Sequence, residues 1–142
     1  MKNIVDLKNN FIMADVYRVY SACMFEPTWE KFRERAENLS ADPNMRVFGC
    51  FEDDALLGVI AVRKMSDYAE ICGIAVEEKR RGCGIGGKLV RYVMDMLKPD
   101  VLSAETDDDA VEFYRKAGFL IEEFAKVYDS GVYRRYRCTL RR

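Results

Sequence analysis

Nine residues, Arg80 to Lys88, read RRGCGIGGK and set four glycines behind a basic pair, where a β-rich run gives way to a helical pattern. Such a segment can hold phosphate. Glycine lets the backbone curl until successive N–H groups converge, and the positive end of a helix dipole adds to the same spot. Three spacings overlap here. Gly82, Gly84 and Gly87 satisfy G-x-G-x-x-G, with Glu105 about 20 residues further on where a ribose-binding acid would sit. Gly82, Gly87 and Lys88 begin the nucleotide loop G-x-x-x-x-G-K-[ST], which fails at Leu89 because that side chain has no hydroxyl for magnesium. Arg81, Gly84 and Gly86 give a third pattern, R-x-x-G-x-G, that starts on a cation.

The chain contains no histidine, which excludes serine and cysteine hydrolases that use an imidazole base. Any acid or base must be a carboxylate, tyrosine, lysine or cysteine. Cys23, Cys50, Cys72, Cys83 and Cys138 are odd in number and scattered, with no C-x-x-C pair, so neither a disulfide framework nor a zinc site is expected, and no metal. They read as reduced, mostly buried thiols. Cys83 lies inside the glycine loop and is expected to lend its backbone N–H rather than act as a nucleophile.

The chain has 142 residues, 23 basic against 24 acidic, 49% apolar and 12% aromatic, which suits one good core and one soluble domain over 1–142. The start, MKNIVDLKNNF, is polar and interrupted, and no run approaches the roughly 20 apolar residues of a membrane span. The expectation is a cytoplasmic protein with no membrane and no nucleic-acid partner. Arg134, Arg135, Arg137, Arg141 and Arg142 read as a solvated hairpin edge.

The elements that must position the loop follow from periodicity. Val16, Tyr20, Cys23 and Met24 recur at helical spacing, and after Pro27 so do Trp29, Phe32, Ala36 and Leu39. Three β-rich runs, Arg46 to Phe51, Ala55 to Val62 and Ala69 to Val76, form an antiparallel meander. Ile85, Leu89, Val90, Val93, Met94 and Leu97 line one face of a helix that Pro99 stops. A strand, Val101 to Glu105, precedes an acidic helix start at Asp107 to Asp109, whose stripe is Ala110, Phe113, Tyr114 and Ala117. Gly118 caps that helix, and Phe119 to Val127 and Val132 to Leu140 close the chain as a hairpin.

This order yields few parallel strand pairs, whereas a dinucleotide domain needs many and runs its strand almost directly into the first glycine. Here Glu77 to Arg81 intervene. The chain resembles the GNAT superfamily of acyl-CoA N-acyltransferases over essentially its whole length, through two blocks. One is AEICGIAVEEKRRGCGIGGKLV, Ala69 to Val90, where a strand leads into R-x-x-G-x-G and a helix. The other is DDDAVEFYRKAGF, Asp107 to Phe119. The resemblance implies an α+β (mixed α/β) domain with a central, mixed, mostly antiparallel sheet of about six to seven strands flanked by about four helices.

It further implies acetyl-CoA as co-substrate, with backbone groups of Ile74, Ala75 and Val76 along the pantetheine arm. N–H groups from Gly82, Cys83, Gly84, Ile85, Gly86 and Gly87 would hold the pyrophosphate, and Arg81 and Lys88 would add charge. Asp107 stands where the family often has an asparagine that contacts pantetheine; an aspartate accepts but cannot donate. Glu70 resembles the family's catalytic glutamate, acting through water, with Glu105 as rival base. Tyr114 resembles the tyrosine used as general acid, although spacing alone puts it in an apolar stripe. A phenol near pKa 10 suits a thiolate whose conjugate acid lies near 8.5.

The implied activity is an N-acetyltransferase acting on a primary amine of a small molecule or peptide, in a ternary complex, and many members form homodimers. A lysine-type amine is neutral in only about one molecule in 2,500 at pH 7 and an α-amine in about one in ten, so the base matters far more for the first. Alternation puts Glu70, Cys72, Ile74 and Val76 on one strand face. The acceptor region is sought at Phe25, Trp29, Tyr128, Tyr133 and Arg134, the last an isolated cation on an apolar strand face that could receive an acceptor carboxylate. A non-catalytic acyl-CoA-binding or regulatory module, and more remotely a nucleotide-binding protein, are the alternatives.

Overall fold

A computed structural model of the chain describes residues 2–10 and 14–142; Met1 and Phe11 of the polar N-terminal run lie outside the described residues. The elements are β1 (Lys2–Asp6), α1 (Ala14–Tyr20), α2 (Trp29–Ala41), β2 (Met45–Glu52), β3 (Ala55–Lys64), β4 (Tyr68–Val76), α3 (Ile85–Leu97), β5 (Val101–Thr106), α4 (Val111–Lys116), β6 (Leu120–Tyr128) and β7 (Gly131–Arg141). They form the expected mixed α/β domain around one seven-stranded sheet in the order β1-β2-β3-β4-β5-β7-β6. Every pairing is antiparallel except β4 with β5.

Local chemistry sets these boundaries. Thr28 caps α2, its hydroxyl accepting from the Lys31 amide at 3.1 Å, and the helix then turns Phe32, Ala36 and Leu39 into the core. α3 buries Ile85, Leu89, Val90 and Val93, and full burial of each such aliphatic side chain contributes about 1.5–3 kcal/mol relative to exposure. Its last turn ends on Lys98 at φ 49°, just before Pro99. At the end of α4, Gly118 takes φ 94° and the Phe119 amide reaches back to the Tyr114 carbonyl at 3.0 Å, closing the helix as its sequence predicts.

The sheet separates two cores. α3 and α4 cover one built on Ile60, Val62, Ile71, Leu102 and Phe119, whereas α1 and α2 cover the other, built on Val47, Val59, Ala61 and Ala75. Two sequence expectations change. Residues 2–6, part of a run read as polar and interrupted and given no element, form β1 on the free side of β2, with Ile4 packed against the first core. The arginine-rich β7 is not an edge but pairs with β5 on one side and β6 on the other, and its arginines find partners on neighbouring strands and loops. Arg135 bonds Glu105, Arg134 bonds Asp108, and Arg137 stacks 5.1 Å over the Phe124 ring.

Candidate active site

The parallel ladder between β4 and β5 is three residues long, Tyr68 with Val101, Ala69 with Leu102 and Glu70 with Ser103. Beyond it the strands part. β4 continues to Val76 along β3, and β5 continues to Thr106 along β7, so backbone groups that would have paired across the ladder face a cleft. Ile74, Ala75 and Val76 lie along this open edge, which is where an extended chain with amide groups would find partners.

At the cleft's end the chain enters the glycine loop. Gly82 and Gly84 have φ of 83° and 82°, left-handed values that glycine adopts without a Cβ penalty. Among the described residues, no backbone carbonyl takes up the N–H groups of Gly82, Gly84, Ile85, Gly86 or Gly87, while Cys83 donates to Arg80 at 3.4 Å and Lys88 to Gly84 at 3.0 Å. These amides stand together at the start of α3, the arrangement in which converging N–H groups can receive an anion. Gly87 has nothing within 4 Å of where a Cβ would stand, so its surface is open to a ligand, whereas a Cβ on Gly86 would meet the Phe113 ring at 2.5 Å. Gly86 therefore serves the packing of α3 on α4.

The two arginines of the loop are less free than their sequence suggests. Arg80 forms a two-pronged bridge to Glu52 on β2, at 3.0 and 3.3 Å, which anchors the loop to the sheet. The Nε of Arg81 donates to the Val76 carbonyl at 3.3 Å and ties the loop to the end of β4. Lys88 is exposed on the first turn of α3. Asp107 uses one carboxylate oxygen to accept from the amides of Asp109 and Ala110, at 3.0 and 3.1 Å, and so caps the approach to α4.

Tyr114 is buried, 5% exposed, between the rings of Phe113 and Phe119, each 5.1 Å away and edge-on. Among the described residues, its hydroxyl has no hydrogen-bond partner. Burial raises its pKa above the usual phenol value, and the charges of Cys138, Cys23 and Asp107 push in the same direction. Tyr114 belongs to the core under α3, whereas Cys23 packs with the α1 and α2 side of the sheet.

Glu70 is the last residue of the parallel ladder, at the mouth of the cleft. Its carboxylate lies 3.6 Å from the Arg63 guanidinium, which also holds Asp42 at 3.4 Å. Register shows that the face assignment from simple alternation was wrong. β3 pairs Val62 with Ile71 and Ala61 with Gly73, leaving Cys72 as an extra residue. This bulge reverses the faces along β4. Ile71, Ile74 and Val76 join the α3 core, while Cys72 packs with the α1 and α2 core, so Glu70 does not share a face with Ile74 and Val76. Glu105 is differently placed. Burial disfavours its charge, but hydrogen bonds from Lys126 and Arg135 outweigh this and hold its carboxyl below the ordinary value. A carboxylate so stabilised is a poor proton acceptor.

On the α1 and α2 side, a groove of about 520 Å³ runs beside the bulge, lined by Tyr20, Phe25, Arg35, Asp42, Arg63 and Cys72 among others. Of the acceptor positions sought in the sequence, only Phe25 is on it, 85% exposed. Trp29 instead packs edge-on to Tyr17 at 5.3 Å, and Tyr128 and Tyr133 pair at 5.5 Å near the tip of the closing hairpin. Arg134 is not an isolated cation. Asp108 takes its guanidinium at 3.0 and 3.3 Å and also accepts from the Tyr136 hydroxyl at 2.7 Å. Arg35, Asp42 and Arg63 carried no local signal, because only strand register and helix packing bring them to one wall.

The acetyltransferase (GNAT) family model matches residues 13–119. A curated relative, the UPF0157 protein YqkA of Bacillus subtilis, is 32% identical over 98 residues, which is 66% of this chain and 28% of that protein. The matched part thus spans well under a third of that relative's length. The fold resembles the ribosomal-protein-S18-alanine N-acetyltransferase of Escherichia coli, with a TM-score of 0.77 at 17% identity over 99% of this chain and 94% of the other. It also resembles a GNAT family acetyltransferase of Elizabethkingia anophelis with acetyl-CoA bound, with a TM-score of 0.71 at 16% identity over 99% and 98%. No helix among the described residues is long and apolar enough to cross a membrane. With the family model spanning both the glycine loop and the Phe113–Tyr114 helix, the chain belongs to the GNAT acetyltransferase family.

Proposed function

We propose that the protein transfers an acetyl group from acetyl-CoA to a primary amine of a small molecule or peptide by direct attack, with both substrates bound together. The observation that carries this is the parting of β4 from β5 in line with the open amides that begin α3. An extended amide-bearing arm ending in a pyrophosphate fits that pair of features, and the left-handed glycines leave the nest clear of side chains.

Acetyl-CoA supplies an activated thioester carbon; the chain's own groups orient it and move protons. The open edge at Ile74, Ala75 and Val76 aligns the pantetheine arm. The amides from Gly82 to Gly87 and the Lys88 ammonium bind the diphosphate, with Arg81 securing the loop. The new C–N bond forms as the C–S bond breaks. Glu70 takes the surplus amine proton through a water molecule, and the Tyr114 hydroxyl gives its proton to the departing sulfur. Glu105, held ionised by Lys126 and Arg135, is not the base. Asp107 orients the start of α4 and with it Tyr114.

Acetyl-CoA is expected to raise the melting temperature where NAD and ATP do not, because a ligand that binds only the folded state stabilises it. Thiol release from acetyl-CoA in the presence of an amine panel should then reveal acceptors. Glu70→Gln should lower kcat/KM for a lysine-type amine at pH 7 by about 10²-fold or more, with recovery as the pH rises and the amine deprotonates itself. Stabilisation without thiol release for any amine would instead support a non-catalytic acyl-CoA-binding module. Equal stabilisation by NAD or ATP would refute the CoA assignment.

A further inference from the structure

The groove beside the β4 bulge holds three cations, Lys31, Arg35 and Arg63, against two carboxylates, Glu34 and Asp42. Most are already engaged. Arg63 is shared between Asp42 and Glu70, and the Lys31 ammonium donates to the Glu26 carbonyl at 2.9 Å. Among the described residues, Arg35 has no carboxylate partner, although Arg33 on the same helix pairs with Glu37 at 3.5 Å. The Arg35 guanidinium lies beside the Tyr20 hydroxyl, where it opposes the burial that raises that phenol's pKa.

Tyr20 fixes where Arg35 acts. It is fully buried, and a Cβ on Gly73 would overlap its hydroxyl, so it rests against the β4 backbone next to the bulge. Arg35 is thereby held within electrostatic reach of Cys72, the bulged residue, at the place where the parallel ladder ends. An exposed, always charged fork with no carboxylate partner among the described residues, in a groove that opens beside the cleft, suits a planar anion. With three cations against two carboxylates the groove lining carries net positive charge, which disfavours a polycationic acceptor.

We infer that Arg35 forms a carboxylate subsite in this groove, so that the acceptor is an amine that also carries a carboxylate, of amino-acid or short-peptide size. This rests on the transferase reading only for the claim that the ligand is the acyl acceptor. The test titrates L-amino acids, dipeptides and their C-terminal amides calorimetrically into the protein saturated with CoA, and separately measures thiol release from acetyl-CoA. Free carboxylates should bind about 10- to 100-fold more tightly than the amides, the range of a charge-assisted hydrogen bond. Arg35→Gln should abolish the difference, Arg35→Lys should restore part of it, and neither should alter acetyl-CoA affinity. Equal binding of acids and amides, a preference that survives in Arg35→Gln, or no binding of either ligand overturns the subsite. A carboxylate preference in binding with no transfer to any amine keeps the subsite and removes the transferase reading.

Discussion

Tyr114→Phe is expected to lower kcat by about 10²–10⁴-fold at saturating substrates, the range that a positioned general acid supplies. The fold should survive it. The phenyl ring keeps its edge contacts with Phe113 and Phe119, and the lost hydroxyl has no hydrogen-bond partner among the described residues, so no buried group is orphaned. Acetyl-CoA should stabilise the variant as it does the parent. The two proteins should also differ in pH dependence. Burial first, then the charges of Cys138, Cys23 and Asp107, raise the Tyr114 pKa, so the proton stays on the oxygen throughout the neutral range. The alkaline fall of kcat in the parent should therefore begin no lower than about pH 10, the ordinary phenol value. An unchanged kcat in Tyr114→Phe would remove the residue from the mechanism and leave thiolate departure to water.

Neighbouring glycines of the loop should fail in opposite ways. Gly86→Ala places a methyl 2.5 Å from the Phe113 ring, and Phe113 cannot yield without disturbing Tyr114 beside it. Overpacking of this kind costs about 1–3 kcal/mol, or roughly 3–10 °C in Tm for a domain of this size. Gly87→Ala meets nothing within 4 Å and should melt at the parent temperature or slightly above it, since alanine favours the helix. Its methyl would instead stand at the open face of the amide nest and raise the KM for acetyl-CoA. Thermal melts and acetyl-CoA titrations of both variants check this. A destabilised Gly87→Ala, or a Gly86→Ala as stable as the parent, would show that the packing and binding roles had been exchanged.

The sequence carried the elements well because their signals are local. Ile85, Leu89, Val90 and Val93 recur at helical spacing and are buried as predicted, Pro99 ends that helix, and Gly118 closes the next. β1 escaped notice because five residues with two central aliphatics give too short an alternation, and β2 rather than its own pattern makes it a strand. The arginines of β7 resembled a solvated edge because their partners, Glu105, Asp108 and the Phe124 ring, belong to other segments. A single extra residue at Cys72 overturned the face assignment of Glu70, since strand periodicity is two and one inserted residue reverses every side chain beyond it.

The sequence by itself determined the order of elements, the glycine loop behind Arg81 and the Phe113–Tyr114 helix start, because turn chemistry, helical period and glycine's backbone freedom act over a few residues. Only the tertiary structure decided which glycine packs and which stays open, that Arg80 and Arg81 secure the loop to the sheet, and that Arg134 is spoken for by Asp108 while Arg35 has no carboxylate partner among the described residues. Those outcomes depend on distances between segments far apart in the chain. Such distances are set by strand register and helix packing, which no local pattern of residues encodes.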